Sequence, residues 1–529
     1  MRSLSSDAPL TPGSKDPGAT KNGLSPDSKD PGATTTDSGP GVFRPRALDP
    51  SFLTALRRIA GDDAVFSDPL EVLTYECDAL THLRTVPAAV VLPSSPAQVQ
   101  DVVRLCAEHG VPFVPRGHGT GLSGGAKPVE GGVVIALSRL NRVRSVDIAN
   151  RRVTVEPGVT NLEITRQVAP FGYYYAPDPS SQQVCSIGGN VAENSGGAHC
   201  LKYGFTVHHV LAAEVVLPSG DLVHLGSQFA DPVGPDLLGL LIGSEGTLAI
   251  VTSVTVRILR KPESVQTLLA AFATIDAGGA AVSEIIGAGI IPAAIEMMDA
   301  LAIQAAEAAV HPGFPPADTV LIVELDGPDA EVRALFGMVE EICRRAGATT
   351  IEVARTDEQR ARIWKGRKAA FAAMGRVSPN YYVQDGVVPR TRLPEVLSRI
   401  RDLERTSGLR IGNVFHAGDG NLHPLICYDE KIPGQAEQAE AVAAEILLYC
   451  IEAGGSLTGE HGIGVDKSEY MPRMFSEIDL SLMKRVRSAF DPRGLCNPGK
   501  VFPTPRLCGE VPGPYRAHPT ERAGLAERY

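Results

Sequence analysis

The stretch Arg116-Gly-His-Gly-Thr-Gly-Leu-Ser-Gly-Gly125 decides how this chain folds, because five glycines lie within ten residues directly after a predicted strand at 111–114. Glycine adopts positive φ values without strain and lets backbone N–H groups approach an anion closely. Thr120 and Ser123 add hydroxyl donors to the same stretch. The pattern predicts a loop that binds a pyrophosphate, and a flexible surface loop is the alternative.

The same loop contains a dinucleotide fingerprint, G-x-G-x-x-G, at 119–124. In a Rossmann fold this fingerprint opens a helix, and an acidic residue follows about 20 residues later. Here Pro128 and Gly131 prevent a helix, and the next predicted strand, 133–137, leads into Ser138. We therefore expect a dinucleotide that is bound in a different way from a Rossmann fold.

Two further glycine-rich clusters follow the first along the chain. The second comprises Pro177-Asp-Pro-Ser-Ser181 and Ser186-Ile-Gly-Gly-Asn-Val-Ala-Glu-Asn-Ser-Gly-Gly197, and the third is Ile242-Gly-Ser-Glu-Gly-Thr-Leu-Ala-Ile250. One such cluster is weak evidence for a ligand. Three of them within residues 116–250 indicate a chain that runs along an extended ligand.

Histidines and a glutamate form a second set of candidate site residues. Asn413-Val-Phe-His416-Ala-Gly-Asp-Gly-Asn-Leu-His423 places two histidines on either side of a tight turn, between strand-like sequences. Such a turn can bring metal ligands side by side. Gly459-Glu460-His461-Gly462, which follows a predicted helix at 439–453, offers a further ligand. The alternative is two polar loops whose histidines are satisfied by ordinary hydrogen bonds.

The composition bounds the class of protein. The chain has 529 residues, of which 43% are hydrophobic and 21% charged, so we expect a globular protein of more than one domain. A net charge of −11 disfavours nucleic-acid binding. No apolar run reaches the ~18 residues of a membrane helix, and no secretory signal is apparent. The nine cysteines form no CxxC pair, which favours a reducing compartment without iron–sulfur clusters or c-type haem.

The sequence divides into four predicted segments. Residues 1–47 are a low-complexity tail that contains SKDPGAT twice, and we expect this tail to be disordered. Residues 48–262 form one domain, 263–505 a second α+β domain with alternating strands and helices, and 506–529 a C-terminal tail. Ser95-Pro96 opens an amphipathic helix that Gly110 ends, and Thr160 with Glu163 predicts a capping box.

The three glycine clusters resemble the FAD domain of the vanillyl-alcohol oxidase and para-cresol methylhydroxylase superfamily. The resemblance implies an α+β fold, with a two-subdomain FAD-binding domain of the para-cresol methylhydroxylase type and a ferredoxin-like α+β substrate domain after it. It also implies the residues that hold FAD. The phosphate would lie on Gly117, Gly119, Thr120, Gly121, Ser123 and Gly124, and the rest of the flavin on Pro177, Ser181, Gly188, Gly189, Asn194, Glu245, Gly246 and Ile250.

Some members of this superfamily tether FAD through a histidine in the first loop, where it follows two glycines. Here His118 stands between single glycines, and Thr120 occupies the tethering position. We therefore expect non-covalent FAD, with His118 as a solvated loop residue.

The histidine motifs resemble the C-terminal domain of D-2-hydroxy-acid dehydrogenases. The resemblance implies that His416, His423 and Glu460 bind a divalent metal (zinc, manganese or iron), that His461 is the catalytic base, and that Arg367 binds the substrate carboxylate. For Arg367 a surface helix charge is the alternative. Lys500, in Asn497-Pro-Gly-Lys500, is a further catalytic candidate without an assigned role. Leu425 replaces the asparagine of the 2-hydroxyglutarate enzymes, which puts recognition of a second carboxylate in doubt.

Several motifs, among them Tyr75-Glu-Cys-Asp78, His199-Cys-Leu-Lys-Tyr-Gly204, Glu296-Met-Met-Asp299 and Asp385-Gly386, resemble the FAD-containing subunits of bacterial glycolate oxidases. This implies oxidation of glycolate or D-lactate, an iron–sulfur subunit and a second flavin-domain subunit as partners, and a cytoplasmic protein held at the membrane by those partners. A stand-alone D-lactate dehydrogenase or oxidase is the main alternative. A non-catalytic FAD- or metal-binding scaffold is a second one.

Overall fold

A computed structural model describes residues 48–228 and 234–503 of the chain. The predicted tails at 1–47 and 506–529 lie outside the described residues. The secondary structure alternates between helices and strands throughout, as an α+β fold requires.

The amino-terminal elements are short and belong to three separate sheets. In chain order they are α1 (Pro50–Ala60), β1 (Val65–Phe66), α2 (Pro69–Val72), β2 (Ala89–Val91), α3 (Pro96–His109), β3 (Phe113–Arg116), β4 (Val133–Ala136), β5 (Val143–Asp147), β6 (Arg152–Val155), α4 (Asn161–Val168), β7 (Tyr173–Tyr174), α5 (Ile187–Glu193), α6 (Cys200–Tyr203), β8 (Val210–Val216), β9 (Leu222–Gly226), α7 (Leu237–Leu241), β10 (Ile250–Arg257) and β11 (Leu259–Arg260).

The first sheet has the strand order β1-β2-β4-β3, and its β2, β4 and β3 run parallel. The second sheet, β5-β6-β10-β8-β9, is antiparallel, and β7 pairs with β11. Helix α3 covers the first sheet, as its sequence predicts. Ser95 accepts from the Gln98 N–H at the N-terminus, Val99, Val102, Val103 and Cys106 are buried, and Gly110 ends the helix in the left-handed conformation.

The predicted capping box at the start of α4 is wrong. Thr160 is the N-cap residue, but its side chain accepts no hydrogen bond from the helix. The Glu163 carboxylate instead accepts from Gln167 one turn later, at 2.7 Å. The helix forms nevertheless because Ile164 and Val168 bury its apolar side.

The carboxy-terminal elements are longer. In chain order they are β12 (Ser264–Phe272), α8 (Ile275–Gly287), β13 (Ala294–Asp299), α9 (Ala300–Val310), β14 (Thr319–Gly327), α10 (Asp329–Arg345), β15 (Ala348–Val353), α11 (Asp357–Ala373), β16 (Asn380–Val383), β17 (Gly386–Val387), α12 (Leu393–Ser407), β18 (Ile411–His416), β19 (Asn421–Leu422), β20 (Pro424–Tyr428), α13 (Gln435–Glu452), α14 (Met471–Met474) and α15 (Glu477–Phe490).

These strands form one large antiparallel sheet with the order β15-β12-β14-β13-β18-β19-β17, and β20 pairs with both β18 and β16. Side chains alternate between its two faces. On β12, Leu268 and Ala270 pack with helices α8, α10, α12 and α13, whereas Leu269 and Ala271 pack with α9 and α11. Both faces of this sheet are therefore buried.

The last described residues return to the first sheet. Phe113 N–H donates to the Leu495 carbonyl and Asn497 N–H donates to the Phe113 carbonyl, at 2.9 and 2.8 Å. Cys496 is buried in the core beneath α3. The segment 495–500 thus lies against the phosphate loop, although we expect the second domain to extend to 505. The predicted domain boundaries stay a prediction.

The structure also describes the length of the apolar helices and the state of the cysteines. Within residues 48–228 and 234–503, no helix combines the length and apolarity needed to span a membrane. The cysteines of these same residues are free thiols.

Candidate active site

The site lies on the face of the large sheet that helices α9 and α11 cover. Val414 and Met298 pack on this face, so His416 and Glu296, each two residues away on the same strand, point in the same direction. Glu324 on β14 shares the face with Ile322. Arg360 and Arg367 approach from α11, seven residues apart and hence on the same side of the helix.

His416, His423 and Glu460 converge, as the sequence predicts. One ligand atom from each lies within 4.8 Å of the others. His416 Nε2 is 3.3 Å and His423 Nε2 is 3.4 Å from Glu460 Oε1. Ligand atoms around a tetrahedral zinc, with bonds of about 2.0–2.1 Å, are about 3.3–3.4 Å apart.

The chemistry of these residues also fits a divalent cation. Both ring nitrogens of His423 are buried and lack a hydrogen-bond partner among the described residues. His416 donates from Nδ1 to Glu296 Oε1 at 2.7 Å, which leaves its Nε2 as the ligand atom. A carboxylate behind a ligating imidazole is the usual support of such a site.

The buried charges shift the pKa values of the site residues. Burial opposes the charged form of His416, but Glu296 and Glu460 raise its pKa well above the usual range. Burial alone would raise the pKa of Glu460, yet His416 and the neighbouring histidines lower it to about 2. A proton or a cation therefore balances this carboxylate pair, and a metal would compete with the proton on His416.

His461 stacks on His423, with ring centroids 4.9 Å apart and an angle of 11° between the planes. Its Nε2 is 3.9 Å from Glu460 Oε1 and its Nδ1 is 4.0 Å from Asp385 Oδ2. Burial lowers the pKa of His461 to about 4, against the opposite effect of Asp385. The ring is therefore neutral at pH 7 and can accept a proton.

Asp385 forms a second group of potential ligands with His423 and His461. Its carboxylate is completely buried and accepts hydrogen bonds from the N–H groups of Gly459, Glu460 and His461, at 2.9–3.3 Å. Most of these bonds go to Oδ2, whereas Oδ1 lies 3.4 Å from His423 Nε2. It shapes the loop that carries Glu460 and His461.

Arg367 is buried and forms an ion pair with Glu296, the same glutamate that accepts from His416. Its Nη2 is the nitrogen that faces Glu296 Oε2, whereas its Nε has no hydrogen-bond partner among the described residues. Arg367 is thus a buried residue of the site rather than a surface helix charge.

A second buried carboxylate on this face, Glu324, connects to the flavin-side loops. It accepts from Arg360, from Trp364 Nε1 at 2.7 Å and from Thr267. His199 Nε2 lies 3.3 Å from Glu324, and His199 Nδ1 lies 2.9 Å from the Asp178 carboxylate. The network therefore joins helix α11 to the glycine cluster that begins at Pro177.

The first two glycine clusters lie directly against each other. A Cβ atom on Gly117 would overlap the Ser186 hydroxyl, so the backbones can approach this closely only with glycine. Gly119 and Gly124 adopt φ values of +67° and +77°, and a Cβ on Gly119 would overlap the buried guanidinium of Arg116. The predicted phosphate loop thus has the backbone that the sequence indicates.

The residues predicted to hold FAD form a continuous surface only in part. Gly188 and Gly189 begin helix α5, where the Gly189 N–H donates to Ser186. Asn194 directs its side chain to the Val207 N–H, at 2.9 Å. Ile250 is buried in the core at the start of β10. Pro177, Ser181, Thr120, Gly121 and Gly246 lie in the loops themselves.

Glu245, which is predicted to line the flavin, also contacts the loop that carries Glu460 and His461. Its buried carboxylate accepts from the N–H groups of Ile463 and Gly464, both at 2.6 Å.

Lys500, predicted to be catalytic, donates to the Lys127 carbonyl at 2.9 Å, beside the phosphate loop. Burial lowers the pKa of Lys500 to about 7. His118 Nδ1 lies 2.5 Å from the Val184 carbonyl.

The donors around the glycine clusters fit an anionic dinucleotide. The Ser123 hydroxyl and the Asn190 side-chain amide are buried and lack partners among the described residues. Arg116 supplies a buried positive charge beneath the loop, hydrogen-bonded only to the carbonyls of Cys77 and Ala126. Unsatisfied buried donors are costly unless a ligand accepts from them.

Four residues of the site have no predicted role: Glu296, Asp385 and His199, which lie in motifs that carry the family resemblance, and Glu324, which lies in none of them. For Glu296 and Glu324, the sequence does contain a pattern that indicates a buried carboxylate. Each interrupts an otherwise apolar strand at a position that alternation makes buried, in Ala294-Ile-Glu-Met-Met and Leu321-Ile-Val-Glu-Leu. Buried carboxylates are rare unless they are paired. No local pattern indicated the partners of Asp385.

Two known protein families match separate regions of the chain. The family described as "FAD binding domain" matches residues 87–226, and "FAD linked oxidases, C-terminal domain" matches residues 261–501. The fold and the site therefore define an FAD-linked oxidoreductase, and the predicted FAD cofactor is confirmed.

Comparison with curated proteins narrows this class. The glycolate oxidase subunit GlcD of Escherichia coli is 48% identical over 462 residues, which cover 87% of this chain and 92% of that protein. A D-lactate dehydrogenase of Anaerostipes hadrus is 31% identical over 85% of this chain and 97% of its own length. The chain belongs to the family of FAD-linked oxidases that includes glycolate oxidase subunit GlcD.

A solved structure of p-cresol methylhydroxylase with bound substrate matches the fold. It has a TM-score of 0.73 at 17% sequence identity and covers 85% of this chain and 96% of that one. The predicted para-cresol methylhydroxylase-type fold is confirmed. At this identity the likeness concerns the fold alone.

Proposed function

We propose that this chain oxidises a small 2-hydroxy acid, glycolate or D-lactate, to the 2-oxo acid. The observation that carries the proposal is the contact between the two sets of site residues. A Cβ on Gly196, in the second glycine cluster, would lie 2.9 Å from Glu460 Oε2. The neutral His461, the ligand trio and the flavin-side loop are therefore close enough to act on one small molecule.

In this proposal each side chain has a defined task. Arg367 binds the substrate carboxylate with donors that Glu296 leaves free, Nε among them, while Glu296 holds the guanidinium in place through Nη2. His461 removes the hydroxyl proton, because its ring is neutral at pH 7. His416, His423 and Glu460 hold the metal (zinc, manganese or iron), which lowers the pKa of the substrate hydroxyl. Bound FAD supplies the two-electron acceptor for the hydride that leaves carbon 2.

Lys500 takes no part in proton transfer in this proposal. Its amino group lies beside Lys127 and the phosphate loop, where its protonated form would favour an anionic ligand. FAD is bound without a covalent tether, in keeping with Thr120 at the tethering position. Acid precipitation should then release the yellow colour into the supernatant, whereas colour retained in the pellet would indicate a tether.

The proposal extends to partners. A relative named as a subunit supports assembly with other chains, and we propose an iron–sulfur subunit and a second flavin-domain subunit. The protein would then be cytoplasmic and reach the membrane through those partners. The FAD-binding domain at 48–262 and the substrate domain at 263–505 remain the proposed division of the chain.

The D-lactate dehydrogenase relative favours a second candidate, a stand-alone D-lactate dehydrogenase or oxidase. Glycolate and lactate differ by one methyl group, which a pocket discriminates by only ~1–3 kcal/mol. An anaerobic panel of 2-hydroxy acids of both hands tests both candidates. Bleaching of the flavin by glycolate or D-lactate, and not by L-lactate or 2-hydroxyglutarate, supports the proposal. If no 2-hydroxy acid bleaches it, the protein is a scaffold.

A further inference from the structure

The loop 458–466, which carries Glu460 and His461 and is called the base loop below, is not a free surface loop. Every backbone N–H group from Gly459 to Asp466 donates a hydrogen bond. The acceptors lie in other loops of the chain or, for one of them, in the base loop itself. A loop whose donors are all satisfied in one arrangement holds its side chains in fixed positions.

On the substrate side, one carboxylate accepts from the first part of the loop. Asp385 accepts from the N–H groups of Gly459, Glu460 and His461, and from the Thr458 hydroxyl. The Thr458 hydroxyl oxygen in turn accepts from the Gly462 N–H at 3.0 Å. Asp385 lies in the short connection between β16 and β17, two strands of the large sheet.

On the flavin side, a second carboxylate accepts from the next part of the loop. Glu245 accepts from Ile463 and Gly464 through one oxygen each, at 2.6 Å. The Ser123 carbonyl of the phosphate loop then accepts from Val465 and Asp466, at 3.0 and 3.1 Å. Glu245 and Ser123 belong to the third and first glycine clusters.

The two carboxylates are suited to this task by burial and charge. The side chain of Asp385 is inaccessible to solvent and the Glu245 residue is 4% exposed, so water does not compete for their oxygens. Hydrogen bonds from neutral N–H groups to a carboxylate are roughly twice as strong as those between neutral partners. Lys467 Nζ, 3.4 Å from Asp385 and 3.3 Å from the Gly462 carbonyl, offsets part of the negative charge.

We propose that Asp385 and Glu245 are a pair of positioning residues that fix the base loop between the metal ligands and the flavin. Asp385 fixes His461 relative to His423 on the substrate side. Glu245 fixes the other end of the same loop to the flavin-binding clusters, so it acts through the loop and not through direct contact with FAD. This proposal rests on the proposed function for its kinetic consequence only.

The test uses the FAD-loaded enzyme and the isosteric variants Glu245→Gln and Asp385→Asn. Glu245→Gln replaces one acceptor oxygen by an NH₂ group that faces an N–H donor. Asp385→Asn removes the negative charge to which the N–H groups of Gly459, Glu460 and His461 donate. We expect both variants to retain FAD, to bind substrate with less than a tenfold change in Kd, and to reduce flavin ~10²-fold more slowly, the effect of a misplacement of about 1 Å. Glu156→Gln, at a buried position, and Asp299→Asn, at a half-buried one, change carboxylates outside the base loop and should reduce flavin at the wild-type rate.

Hydrogen exchange of the peptide that covers the base loop gives a readout that does not depend on turnover. In the wild-type protein we expect amides 459–466 to be as protected as those of helix α13, and in Glu245→Gln the exchange at 463–464 to rise ~10-fold or more. Fast exchange of this loop in the wild-type protein would overturn the proposal even if a variant did not fold. Loss of FAD from Glu245→Gln with unchanged loop exchange would overturn it too.

The two proposals fail separately. A wild-type protein that no 2-hydroxy acid reduces would contradict the proposed function, while protected loop amides would still support the role of the carboxylates. A wild-type protein that is reduced, together with Glu245→Gln that is reduced equally fast, would contradict only the positioning role.

Discussion

At the scale of single residues, the site depends on two imidazoles that are stacked but have different tasks. His461 is neutral because burial lowers its pKa to about 4. We expect His461→Gln to fold and to bind FAD and metal, but to reduce flavin ~10²–10⁴-fold more slowly, the usual range for loss of a general base. Stopped-flow absorbance with D-lactate or glycolate measures this rate. An unchanged rate would show that another residue is the catalytic base.

A substitution at His423 tests whether the site binds a metal. The ring nitrogens of His423 form no hydrogen bond with the described residues, and its Nε2 lies 3.4 Å from both Glu460 Oε1 and Asp385 Oδ1, a distance that suits ligands of one cation. We expect His423→Ala to contain no stoichiometric divalent metal by elemental analysis and to lose turnover while FAD remains bound. His224→Ala, on an exposed position of β9, is the control and should keep both. Full activity of a metal-free His423→Ala protein would remove the metal from the mechanism.

At the scale of elements, the phosphate loop offers a matched pair of glycines. Gly119 and Gly172 have φ values of +67° and +79°, so alanine costs each about 1–2 kcal/mol of backbone strain. Only at Gly119 would the new Cβ also overlap a side chain, the Arg116 guanidinium. We expect Gly119→Ala to lose FAD during gel filtration and Gly172→Ala to retain it. Equal retention by both would show that the conformation of this loop does not matter for FAD.

The link between helix α11 and the second glycine cluster makes stability depend on pH. Burial lowers the pKa of His199, but Asp178 and Glu324 outweigh it and raise the value to about 10. Arg360 balances Glu324 from the other side. Because the pKa is higher in the folded than in the unfolded state, the stabilisation is fully present below pH 6.5 and is lost as the pH rises through about 10.

We therefore expect His199→Ala to be destabilised by about 1–3 kcal/mol at pH 6, since it removes the cation between Asp178 and Glu324 while Arg360 still balances Glu324. The difference in thermal midpoint between the variant and the wild-type protein should narrow as the pH rises from 6.5 to 10. A difference that is independent of pH would contradict the charged state of His199.

Elements with a local signal could be predicted from the sequence. Helix α3 begins, ends and buries its apolar face as Ser95, Gly110 and the valine spacing indicate. The ligand trio followed from a turn between histidines and a nearby Glu-His pair. By contrast, the partners of Asp385 and Glu245 lie 74 to 76 and 218 or 219 residues away along the chain. Such contacts are determined by tertiary packing, and no spacing rule encodes them.

At the scale of the whole molecule, the fold brings a flavin-binding part and a ligand-bearing sheet together around one loop. The segment 495–500 contributes to this arrangement, because Asn497 donates to the carbonyls of Gly125 and Glu245 at 2.9 and 2.7 Å. The expected domain boundary at 505 placed these residues with the substrate domain. Local sequence did not indicate the return, because it is made by backbone pairing with β3.

The route of the electrons is also a property of the whole molecule. FAD that the substrate has reduced must be reoxidised, either by oxygen or by an external acceptor. We expect the reduced protein to reoxidise slowly in air and rapidly with an artificial dye. Rapid, stoichiometric formation of hydrogen peroxide would instead show a self-sufficient oxidase and remove the need for an iron–sulfur partner.

The central claim is that this chain alone transfers a hydride from carbon 2 of a small 2-hydroxy acid to FAD. Anaerobic rapid mixing of the purified protein with D-lactate, and with D-lactate deuterated at carbon 2, tests it most directly. We predict that flavin absorbance bleaches in a single turnover and that deuteration slows the bleaching several-fold, with the same isotope dependence for glycolate. A flavin that stays oxidised, or one reduced at a rate insensitive to deuterium at every substrate concentration, would contradict the account.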